Sequence, residues 1–386
     1  MMIPRLFCLA IAAALSSAGA QSTCADAFRD SLSANALRAF ERVASVPPVW
    51  DDYTFSRHPL LLLADSTYHG RAETPVCAAV WRAGRPLEPI ELPARPIFST
   101  PIYGMINSDP IGPKAIEGAA DISATTRRSS TAVTAALRAR GVARVVVLNV
   151  PMNLRSLGRL GEMLAAAKAD PARIQADLAV HESFHLHSQF PTWLDQTRTY
   201  AWPAWDLQPD RAELRQRCYA GSPELSAALR SEIQTLVTAY DAVTGDASKR
   251  DVVTGLEHAQ RFIELRASRR KMQDTMTVAQ GRRRISCAQA EDLMELEEGA
   301  TQWIGHATSL SAGLTDAATL RGPYAGTQAE SFYQTGPLQL WVLDGLLGRD
   351  ALRRITTAIA HSTTPESGSV NFHFREQVRR LAEGRR

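Results

Sequence analysis

The sequence predicts an α+β fold, with a mixed α/β N-terminal part over 21–150 and a larger, mostly helical part over 151–386. Two observations support this. Short apolar runs separated by turn residues lie before residue 150, and helical spacing of apolar residues runs from Leu154 almost to the C-terminus. Neither an internal repeat nor a low-complexity tract interrupts this order.

The first 20 residues, "MMIPRLFCLAIAAALSSAGA", combine Arg5, an apolar run from Leu6 to Leu15 and the small residues Ala18-Gly19-Ala20. They read as a secretory signal peptide, and the run is too short to span a bilayer. A secreted or periplasmic protein without a membrane span is therefore expected. "QSTC" before Cys24 lacks the small apolar residues of a lipidation site. Without Cys8, the chain keeps Cys24, Cys77, Cys218 and Cys287 in an oxidising compartment. Their order suggests two disulfides, Cys24 with Cys77 and Cys218 with Cys287; four buried free thiols are the alternative.

Loss of Arg5 with the signal lowers the net charge from +3 to +2. Such a balance argues against nucleic acid as a partner. The basic clusters "RASRRK" (266–271) and "GRRRIS" (281–286) read as solvated helix faces.

Along the chain, Phe28, Leu32, Leu37, Phe40 and Val43 predict an amphipathic helix over 25–46, ended by Pro47-Pro48. Strands follow at 59–65, within 76–92 with Gly84 in a hairpin turn, and at 143–150. The Pro- and Gly-rich segment 93–125 shows no pattern. Asp170-Pro171 opens a helix over 171–189, since Asp caps free amide hydrogens and proline suits the first helical position. The stretch 190–210 breaks the helical pattern.

The 171–189 helix carries "HESFHLH" (181–187). Four-residue spacing puts His181 and His185 on one face, where both imidazoles can reach one ion, and Glu182 stands beside them as a general base. This is the H-E-x-x-H pattern of zinc hydrolases. His187 points to another face and reads as a polar or supporting residue. Two histidines do not complete a catalytic zinc site; a third protein ligand is needed.

Downstream, "EDLMELEEGATQWIGH" (291–306) places Leu293, Leu296, Ala300, Trp303 and Ile304 on one helix face and Glu291, Glu295, Glu298 and Gln302 on the other. That acidic stripe is either solvated or lines a site. With H-E-x-x-H upstream, Glu298-Gly299 and the residues through Trp303 resemble the gluzincin metallopeptidases, whose aminopeptidase branch carries N-E-G-F-A-x-Y. Ala300 and Thr301 stand where that branch has Phe and Ala. The resemblance implies a zincin-like helical part and Glu298 as third zinc ligand, with Glu297 as the alternative. Glu295, one turn back, then orients a ligand histidine. It also implies that an aromatic or histidine from a later helix donates to the oxyanion; Tyr333 is the candidate, with His306 as alternative donor and a buried structural tyrosine the plainer reading.

The expected function is a secreted or periplasmic zinc metallopeptidase acting on a peptide or protein substrate. Strand 143–150 would offer an edge to the peptide. The rivals are a zinc hydrolase of a non-peptide or cell-wall amide and a non-catalytic binding protein. The chain has no G-x-S-x-G for serine catalysis.

Overall fold

The computed structural model describes residues 26–50, 53–64, 76–93, 103–107, 126–150, 169–189, 209–244, 250–325, 331–362 and 366–385, together with 24, 152, 162, 248 and 364. The expected signal peptide over 1–20 and most of the expected break at 190–210 lie outside them. The chain divides into two compact units, Met1–Val46 with Thr54–Leu186, and Pro47–Tyr53 with His187–Arg386.

The first unit is α+β. Helix α1 (Ser31–Ala44) starts later than its apolar spacing suggests, because Asp30 caps it by accepting from the Leu32 and Ser33 amides at 2.9 and 3.0 Å. Its buried face is Ser33, Ala36, Ala39, Phe40 and Val43, whereas Leu32 is 56% exposed and Leu37 half-buried. Phe28, Phe40 and Val43 of the expected apolar face are thus buried, while Leu32 and Leu37 are replaced inside by small residues, where α1 packs against the helix that carries the histidines.

Strands β1 (Leu60–Leu63), β2 (Val76–Trp81), β3 (Glu88–Leu92), β4 (Tyr103–Asn107) and β5 (Arg144–Asn149) form one sheet in the order β3-β2-β1-β5-β4. Gly84, with φ of 68°, turns the β2–β3 hairpin as expected, and its amide donates to Glu41 Oε2. β5 pairs parallel with β1 and antiparallel with β4. It is therefore internal, and the expectation that 143–150 offers a free edge is corrected. The run Val145–Leu148 is buried throughout, the pattern of a central strand. The edges among the described residues are β3 and β4. Helix α2 (Thr126–Arg138) packs Val133 and Leu137 against Leu61, Leu63, Val80, Val145 and Val147. The Cys24–Cys77 disulfide lies in this unit.

The second unit is mostly helical. Helices α4 (Pro223–Val243) and α5 (Val252–Met272) pack side by side, followed by a hairpin of β6 (Thr277–Gln280) and β7 (Arg283–Ser286). Next come α6 (Cys287–Met294), a π turn (Glu295–Gly299) and α7 (Ala300–Ser311), then α8 (Ala317–Ala325), α9 (Phe332–Leu347), α10 (Arg349–Ala360) and α11 (Val370–Glu383). Helix α3 (Pro171–Phe184) belongs to the first unit and is described below. Cys218 is bonded to Cys287, so the pairings expected from chain order are both present. Two disulfides fit an oxidising, extracellular setting. Among the described residues no helix is long and apolar enough to cross a membrane.

Both basic clusters are corrected. Arg266 and Arg269 of α5 are buried, 2% and 1% exposed, because Glu232, Glu291 and Glu295 from neighbouring helices face them. The 281–286 cluster is a strand hairpin, not a helix face, with Arg284 paired to Glu213. The acidic stripe of 291–302 is not solvated either: Glu291, Glu295 and Glu298 are all buried.

Candidate metal centre

The histidine helix is built as its sequence dictates. Asp170 accepts from the Ala172 amide at 3.0 Å, Pro171 takes the first turn, and Gln175 Nε2 donates to the Asn149 carbonyl at the end of β5 at 2.6 Å. At His185 the α-helix gives way to a π turn (His185–Gln189), a local widening that recurs at functional sites. The Nε2 atoms of His181 and His185 face one another at 3.2 Å. Two nitrogens on one tetrahedral zinc, each at about 2.0–2.1 Å, are separated by about 3.3 Å, so the imidazoles already span the edge that such an ion requires. Glu182 is 4% exposed, and its Oε1 lies 3.9 Å from His181 Nε2.

Glu298 sits in the π turn Glu295–Gly299. Its Oε1 accepts from Arg211 Nη2 and its Oε2 from the Tyr333 hydroxyl at 2.9 Å. A carboxylate has about four lone-pair sites, so both contacts leave it able to bind a metal. Burial alone would lower the Arg211 pKa, but Glu298, then Tyr333 and Glu297, raise it overall and keep the guanidinium charged. Phe332 lies under that guanidinium, 5.9 Å from its ring centroid. Sequence reading missed Arg211. It lies 87 residues before Glu298 in short helical turns, with no motif around it to mark it.

One ligand atom from each of His181, His185 and Glu298 lies within 4.8 Å of the others, so this group could hold a metal ion. Two imidazoles and a carboxylate form a donor set that catalytic zinc uses. Glu297, the alternative ligand, is not in that group; its carbonyl accepts from Gln189 Nε2 at 3.2 Å. Nor is His187. His306 Nε2 pairs with the Gln302 amide at 2.7 Å.

Glu295 differs from expectation. Its carboxylate takes two Arg266 nitrogens at 2.7 and 2.9 Å, the Thr335 hydroxyl, and Gln339 Nε2 at 2.9 Å. These contacts fill it, so it braces the π turn and is not a histidine's partner. Beyond it runs a buried chain of ion pairs: Arg266 with Glu232, Glu232 with Arg269, Arg269 with Glu291, and Arg270 with Glu291 and Asp292. Burial would raise the Glu291 carboxyl, yet Arg269, Arg266 and Arg270 hold it well below the usual carboxylate range.

The turn is also clamped from outside. A Cβ on Gly299 would come within 2.9 Å of Gly336 Cα and of the Phe332 carbonyl, and one on Gly336 within 2.9 Å of the Glu295 carbonyl. Glycine at 299 is thus required by the close approach of α9, which also delivers Tyr333 to Glu298. No family model, curated protein or solved structure matches this chain, so the reading of the site rests on its own residues.

Proposed function

We propose that the protein is a secreted or periplasmic zinc-dependent peptidase of gluzincin type, in which His181, His185 and Glu298 hold the metal. The observation that carries this reading is the grouping of those three ligands with a buried glutamate directly after the first histidine. When bound, zinc supplies Lewis acidity, polarising the scissile carbonyl and lowering the pKa of water.

Glu182 does the proton work. Its carboxylate accepts the proton of the attacking water and returns it to the departing amine nitrogen. Tyr333 holds Glu298; donating the same proton to a tetrahedral oxyanion would require it to release that carboxylate, so the geometry favours positioning. Arg211 holds the other oxygen and limits the carboxylate's rotation. An extended substrate would pair with a sheet edge, and among the described residues β4 is the edge next to β5.

Metal analysis tests the reading. The purified chain should carry about one zinc, and His181→Ala or His185→Ala should lose it. Glu182→Gln should keep the zinc while peptide hydrolysis falls about 10²–10⁴-fold, because the amide cannot take the proton. Unchanged metal in both histidine variants, or wild-type hydrolysis by Glu182→Gln, would refute it.

A further inference from the structure

Arg211 belongs to one short helical run, α over Arg211–Glu213 and π over Leu214–Tyr219. It stands at the start of that run, and Cys218 lies near the end. The facing helix begins at Cys287, the disulfide partner of Cys218, and continues through α6 into the π turn that holds Glu298. The two segments are therefore joined twice, by the covalent bond Cys218–Cys287 and by the ion pair of Arg211 with Glu298. Both cysteines are 1% exposed, and they pack with Leu214, Tyr219, Ala290, Met294 and Phe332.

The first turn of the run has a second anchor, the β6–β7 hairpin. Pro209 bridges to Gln280, and the Asp210 amide donates to the Ala279 carbonyl at 2.8 Å. The Glu213 carboxylate accepts from the Ala279 amide at 2.5 Å and from Arg284 Nη2 at 2.8 Å. Arg284 comes from the 281–286 basic cluster, for which the proton chemistry of the centre has no use. A guanidinium orients a carboxylate only where the backbone beneath it is held to about 0.5 Å. Covalent and polar anchors at the two ends of so short a run supply that hold.

We propose that the Cys218–Cys287 bridge and the Glu213–Arg284 pair are positioning elements of the metal centre: they place Arg211 on Glu298, so that full metal affinity requires both. The proposal rests on the metal reading above. It gives the second disulfide and the hairpin a role in ligation that the first disulfide lacks, since Cys24–Cys77 belongs to the other unit and to none of these contacts.

Chelator competition on the full-length chain, with zinc as the probe, tests it. Cys218→Ala combined with Cys287→Ala should weaken zinc binding about 10–100-fold, the range for losing groups that orient a ligand. Adding Arg211→Ala to that pair should weaken it no further than Arg211→Ala does alone, because the bridge acts through Arg211. Cys24→Ala combined with Cys77→Ala also removes a disulfide, and it should lower Tm while leaving zinc affinity unchanged.

Glu213→Ala probes the second anchor without touching a disulfide, so it keeps the test open if the bridge variant folds poorly. Zinc binding there should weaken about tenfold, with Tm little changed. Glu213→Gln, whose amide oxygen still accepts from Ala279, should restore most of the affinity. Wild-type zinc affinity in either the Cys218→Ala/Cys287→Ala chain or the Glu213→Ala chain would overturn the proposal and leave the metal reading standing. So would equal losses in the two cysteine-pair variants, or additive losses for the bridge and Arg211. A wild-type chain that binds no zinc would instead overturn the metal reading, and the proposal with it.

Discussion

The two stretches that carry the candidate ligands both pass into π turns, His185–Gln189 and Glu295–Gly299, but different forces hold their donors. On the histidine side, spacing within one helix suffices: a cap at Asp170, a proline, and two imidazoles four residues apart. On the glutamate side, almost nothing local fixes Glu298. Arg211 and Tyr333 grip its carboxylate, Arg266, Thr335 and Gln339 grip Glu295 three residues earlier, and Gly336 presses on Gly299. Helical geometry can set two ligands cheaply. A third from a distant segment needs a scaffold, and here that scaffold is polar and buried.

The sharpest way to break the comparison is to cut the scaffold. Glu295→Ala leaves Arg266 buried without its bidentate partner, and removal of one member of a buried pair costs about 3–5 kcal/mol. Thermal or denaturant unfolding should show that loss with no metal present. A change below about 1 kcal/mol, the usual limit for exposed ion pairs, would mean that the ion chain contributes little and that apolar packing alone sets the turn.

A smaller effect separates support from ligation. Arg211→Ala and Tyr333→Phe should weaken zinc binding about 10–100-fold without abolishing it, because they orient the ligand and do not bind the ion. Competition with a chelator measures this. Loss equal to that of Glu298→Ala would make them more than supports; no loss would detach them from the centre.

The least effect falls on the histidine side. Asp170→Ala removes the cap of α3 and should cost about 1 kcal/mol of stability, with metal affinity nearly intact. A large fall in affinity would show that the histidines depend on the cap and that local geometry does not suffice.

Particular residues show where sequence reading succeeded. The apolar run within 76–92 and the turn at Gly84 gave the β2–β3 hairpin, the apolar run Val145–Leu148 gave a strand, and the chain order of the cysteines gave both disulfides. It missed β4 because Tyr103–Asn107 is short and set in a Pro- and Gly-rich stretch, so that pairing with β5 defines it more than its own pattern does. It misread Arg266 and Arg269 as solvated because charge usually marks a surface, and the acids that neutralise them lie 22–37 residues away.

By itself, then, the sequence determined what is local: the H-E-x-x-H spacing, the cap and proline that start its helix, and the strand and helix patterns on either side. Only the tertiary structure decided what depends on remote partners. It made β5 internal, turned an acidic stripe inward, and gave Glu298 its Arg211 and Tyr333 contacts, 87 and 35 residues away in the chain. The physical reason is that helical periodicity encodes which residues share a face, whereas the burial of a charge depends on an opposite charge whose position no local spacing records.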